Sequence, residues 1–107
     1  MSKYFRNIED NMDANFINKL DEAREYAGIP FVINSAHRSL THPLSIKNPT
    51  SSHIKGLAVD ISVKDSRQRF LILDSLIAVG FTRIGIAETF IHVDSDFDKS
   101  QNVIWTY

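Results

Sequence analysis

Not one of the 107 residues is a cysteine, and for a chain this short that absence limits the possible folds more than any motif does. Disulfides are excluded, so a hydrophobic core must hold the domain together. Any metal must be bound through imidazole and carboxylate rather than thiolate. The material for a core is present: 43% of residues are hydrophobic and 23% charged, the balance of an ordinary globular protein. One core implies a single domain over residues 1–107, expected to be a monomer. The formal net charge of -1, with Lys and Arg scattered, provides no general attraction to nucleic acid or anionic membrane. No window approaches the roughly 18 apolar residues needed to span a bilayer. The opening residues, Met1 to Asn7, lack the apolar stretch of a signal peptide, so the expected location as synthesised is cytoplasmic.

Between Asn11 and Ala27, apolar residues at Met12, Phe16, Leu20, Ala23 and Ala27 recur in steps of three or four, which predicts a helix. Gly28 and Pro30 end it. Phe31 to Ser35 reads as a short buried strand, and Ala36 to Ser52, with two prolines and little periodicity, as a long loop. Leu57 to Val63 is rich in β-branched residues and is predicted to be a strand. Asp65 with Gln68 three residues later resembles a capping box, opening a helix that carries Phe70, Leu73, Leu76, Ile77 and Val79 up to Gly80. Three more strands are expected at Phe81 to Ile86, Phe90 to Asp94 and Asn102 to Thr106. The order predicts an α+β domain: a small, largely antiparallel sheet flanked by two main helices.

Two of the four histidines have unusual surroundings. His53 stands seven residues before Asp60, with Gly56 between them able to turn the backbone. His92 lies in Phe90 to Asp94, where alternation puts Phe90, His92 and Asp94 on one face of a strand. Buried histidine and aspartate need polar partners. Two imidazoles and a carboxylate would leave a bound zinc ion an open position, the arrangement of catalytic sites. Spacing alone leaves open the plainer reading of a loop histidine, a turn aspartate and a satisfied core histidine.

The run Ser51-x-His53-x-x-Gly56-x-Ala58-x-Asp60, followed by His92-x-Asp94, resembles the zinc D-alanyl-D-alanine carboxypeptidase family. That family shares its fold with phage L-alanyl-D-glutamate endolysins and the hedgehog signalling domain. Ile33 to Ser39 resembles the family's strand ending in a Ser-Gly-Tyr-Arg-Ser-like turn. The resemblance implies that His53, Asp60 and His92 bind zinc, and that Arg38 holds substrate or the developing oxyanion. A guanidinium suits that role, being always charged and presenting a planar fork of donors. It also offers Ser51 as a substrate hydrogen-bonding residue, with a loop-stabilising turn as the alternative, and His37 as pocket wall.

The pattern departs from the family at the general base. Many members carry a glutamate three residues before the last zinc histidine, whereas Thr89 stands there here and Glu88 one residue further back. Glu88 is the first candidate for the base. Asp94 is the second, with an alternative role in orienting an imidazole. The function implied is zinc-dependent hydrolysis of a peptide bond in peptidoglycan stem peptides, either as a D-Ala-D-Ala carboxypeptidase or as an L-Ala-D-Glu endopeptidase. The minimal chain fits a phage-type lysin acting on the cell wall. The alternative is a non-catalytic zinc-containing binding module of the same fold.

Overall fold

Asp13 sets where the first helix begins: its backbone is extended, and its carboxylate accepts the amide of Phe16 at 2.9 Å. The computed structural model describes residues 1–37, 39, 42, 46–48 and 50–107. Helix α1 runs Ala14–Ala27 and closes on Gly28 in the left-handed conformation. It starts three residues later than periodicity predicts, because Met12 packs on the core from outside the helix. Helix α2, Ser66–Ala78, starts at Asp65, whose side chain accepts the amide of Gln68. Gln68 in turn accepts the amide of Lys64, completing the expected capping arrangement one residue further back. The inner face of α2 is Ile72, Ser75 and Leu76, while Phe70 and Ile77 are exposed.

Five strands form one sheet: β1 (Ile33–Ser35), β2 (Ala58–Ser62), β3 (Arg83–Ile86), β4 (Phe90–Asp94) and β5 (Val103–Thr106). Their spatial order is β1-β2-β4-β3-β5, antiparallel except that β5 runs parallel to β3 at the edge. The architecture is therefore α+β with a mostly antiparallel sheet, as the sequence predicts.

Alternation along the strands divides the sheet into two faces with different chemistry. Val59 and Ile61 of β2, Ile91 and Val93 of β4 and Ile84 of β3 point toward the helices. There they pack with Phe16, Leu20, Ile72 and Leu76 in one core. The other face carries Asp60, Arg83, Gly85, His92 and Asp94, and register places Asp60 opposite His92 and Gly85 beside both His92 and Trp105. The helices bury one side of the sheet and leave the polar side to build a site. Among the described residues, no helix is long and apolar enough to cross a membrane.

Candidate metal centre

His92 has a carboxylate at each ring nitrogen: Nδ1 lies 2.9 Å from Asp60 Oδ1, and Nε2 lies 2.7 Å from Asp94 Oδ2. Asp94 is buried, and it also accepts the Arg83 Nε–H at 2.7 Å and the amide of Asp96 at 3.1 Å. Arg83 is itself buried, held at its other end by the carbonyl of Ser100. A carboxylate so fixed accepts the Nε2–H of His92 and turns the Nδ1 lone pair toward Asp60.

His53 reaches the same point from the loop before β2. Its Nδ1–H donates to the carbonyl of Ala36 at 2.9 Å, which leaves the Nε2 lone pair facing Asp60 Oδ1 at 3.4 Å. The loop turns at Gly56, whose φ is +70°. Its carbonyl accepts the amide of Asp13 at the start of α1. A side chain at Gly56 would run into the Asn11 carbonyl, so the turn admits no larger residue.

One ligand atom from each of His53, Asp60 and His92 lies within 4.8 Å of the others. Two imidazole lone pairs and a carboxylate converge there, three acceptors that only a cation or added protons can satisfy. The donor set and its second layer therefore fit a zinc ion, with nitrogen and oxygen ligands and room for a further one. When protons rather than an ion fill that gap, burial would raise the Asp60 carboxyl, but hydrogen bonds from His53 and His92 outweigh it and hold the group at about 2. Burial would lower His92, yet Asp60 and Asp94 together raise it above the ordinary histidine value. For Asp94, burial is outweighed by His92, the Asp96 amide and Arg83, which keep it ionised below its usual range.

The cluster sits in an open cavity of about 300 Å³. Ser51 lines it and is buried, and its Oγ accepts the His53 amide at 3.3 Å, the turn-stabilising contact. Glu88 is not brought to this cavity: it is exposed in the tight β3–β4 turn, closed by the Ala87 amide on the Phe90 carbonyl, and its own carbonyl accepts from Arg69. His37 is exposed and is not among the cavity's lining residues, contrary to its reading as pocket wall. Arg38 lies outside the described residues.

Several contributors carry no motif. Asp96, 1% exposed, accepts Ser52 Oγ at 2.7 Å and Lys55 Nζ at 3.0 Å, tying the loop after β4 to the segment that carries His53. Trp105 of β5 and Tyr107 just after it line the cavity, with the indole centroid 5.5 Å from that of His92. Only the pairing of β5 with β3 brings them there. Gly85, a residue without a side chain inside a strand, is the local signal that could point to them.

Among known families, the model described as Peptidase M15 matches residues 2–94. No curated protein and no solved structure matches the chain.

Proposed function

The chain belongs to the Peptidase M15 family, and from that premise we propose that it is a zinc-dependent peptidase hydrolysing a peptide bond in peptidoglycan stem peptides. The observation that carries the reading is the convergence of His53, Asp60 and His92 on one point with a cavity in front of it. Zinc, when bound, polarises a carbonyl and acidifies water. The chain's residues do the rest. His53 Nε2, Asp60 and His92 Nδ1 would hold the ion, with the Ala36 carbonyl and Asp94 fixing the two imidazole tautomers. Ser51 on the cavity wall meets the substrate backbone, and Arg38 steadies the substrate's negative charge. The bond is either D-Ala-D-Ala or L-Ala-D-Glu, and both leave an alanyl carbonyl as the site of attack. Action on the cell wall as a phage-type lysin is part of the same proposal.

The proton shuttle falls to Glu88 or Asp94. Asp94 lines the cavity, but its oxygens are engaged by His92, Arg83 and the Asp96 amide, the pattern of a positioning residue. Glu88 is exposed in its turn and away from the lining. This favours keeping a second reading, a zinc-binding module without turnover: among the described lining residues the only carboxylates are Asp60 and Asp94, and both contact His92. The two readings part in one assay. Purified zinc-loaded protein is given a stem pentapeptide and intact peptidoglycan, and new amine is followed. The peptidase reading expects release that stops on chelation and resumes with added zinc; stoichiometric zinc with no amine from either substrate leaves the binding module.

A further inference from the structure

The β5 strand lies beyond the residues matched by the family model, yet it builds one side of the cavity. Gly85 is the reason it can. Register aligns His92 of β4, Gly85 of β3 and Trp105 of β5 in one row across the sheet. A Cβ on Gly85 would lie 2.5 Å from Trp105 Nε1 and 2.6 Å from Cε2, so the indole occupies the space that a side chain would fill. Across that gap it reaches the imidazole of His92 at a 48° tilt, while Arg83 lies 5.0 Å from its ring centroid. Tyr107, two residues on and on the same face, packs edge-on against Phe90 at 5.1 Å. Trp105, Tyr107 and Phe90 all line the cavity beside the His53–Asp60–His92 cluster, and the rest of its lining is polar.

We propose that Trp105 and Tyr107 form the specificity wall of this site, seating the methyl group of the alanine whose carbonyl is attacked. The inference rests on the peptidase reading and adds the substrate residue that the site selects. A methyl group on a flat aromatic surface loses water contact without asking for a hydrogen bond. A wall in contact with His92 lies next to the carbon that would be attacked there. Both candidate bonds present an alanine on their acyl side, so the wall serves either.

The test compares the wild-type chain, Trp105→Ala, Tyr107→Ala and Gly85→Ala, all zinc-loaded, on a stem peptide and its analogue with glycine in place of the acyl-side alanine. Wild-type kcat/KM is expected to favour alanine by about tenfold, the usual discrimination of one methyl in an apolar pocket. In Trp105→Ala and Tyr107→Ala the preference should fall below about threefold, mainly through KM, with zinc affinity unchanged within about threefold. Gly85→Ala removes no wall side chain but displaces the indole, so it should lose preference as Trp105→Ala does, and it covers the case in which the tryptophan variant does not fold. An unchanged alanine preference in the variants overturns the proposal, as does loss of zinc from Trp105→Ala, which would make the ring a metal-positioning residue. If the wild-type chain cleaves neither peptide, the peptidase reading fails separately. Binding is then read from the emission of Trp105, the chain's one tryptophan, and equal affinity for the alanine and glycine peptides overturns the wall itself.

Discussion

His92 shows how little freedom an imidazole has once both its nitrogens are claimed. Asp94 fixes one nitrogen and leaves the other facing Asp60, where the proposed zinc ion would bind. Replacing His53, Asp60 or His92 by alanine should each weaken zinc binding by more than about a hundredfold, measured by competition with a chromophoric chelator. Asp94→Asn should cost less, about ten- to a hundredfold, because an amide still meets Nε2 but no longer sets its proton. A loss as large as that of the ligand variants would instead mean that Asp94 contacts the ion. Proton competition follows from the same geometry. The metal-free His92 has its pKa raised, so its proton persists to higher pH than on an ordinary histidine and opposes the ion there. Zinc affinity should therefore already be falling as pH drops through 7, whereas Asp60, at about 2, adds no competition above pH 4. An affinity flat between pH 8 and 6 would contradict this.

The elements matter for the faces they turn. Each core-facing run, such as Val59 with Ile61 or Ile91 with Val93, lies against α1 and α2, and the intervening residues are pushed to the opposite side by alternation alone. The loop from 51 to 57 is the exception, since no ladder holds it. Gly56 makes its turn at φ +70°, pressed on the backbone at Asn11, and the Asp96 carboxylate clamps its Ser52 and Lys55. Gly56→Ala is expected to destabilise the fold by about 2–3 kcal/mol through strain and collision, seen as a lower denaturation midpoint. Because the same turn delivers His53, zinc affinity should fall with it. Unaltered stability would mean that the chain before α1 yields at no cost.

On the scale of the whole molecule, a core without disulfides is joined to a site that only the folded chain assembles. A ligand bound by the native state alone stabilises it by mass action, by about 2.7 kcal/mol at a hundred times its Kd. For a domain of this size that is an increase in Tm of about 10 °C or more. Chelation should reverse it, and a Tm indifferent to zinc would speak against the site. Acid should act through Asp96 as well. Burial opposes its charge, but Ser52 and Lys55 outweigh burial and depress its pKa to about 2. A depressed carboxylate stabilises the fold above its unfolded value near 4, and that contribution drains away as pH falls toward 2. In the metal-free protein, Asp96→Asn should therefore lower Tm at pH 6 and lower it much less at pH 2.

What could be read along the chain was whatever depends on near neighbours. The capping carboxylate of Asp65, the glycines that end both helices, the alternation of Phe90 to Asp94 and the His53–Gly56–Asp60 spacing are local, and each appears in the fold where its pattern predicts. The exposed side chain of Glu88 was undetermined, because a shift of one residue at a turn decides which way it points. Asp96, Arg83 and Trp105 carry no pattern of their own: they acquire roles through partners 41, 11 and 20 residues distant, at Lys55, Asp94 and Gly85. Strand register and loop closure choose those partners, and both are settled only when the whole sheet has packed on its helices.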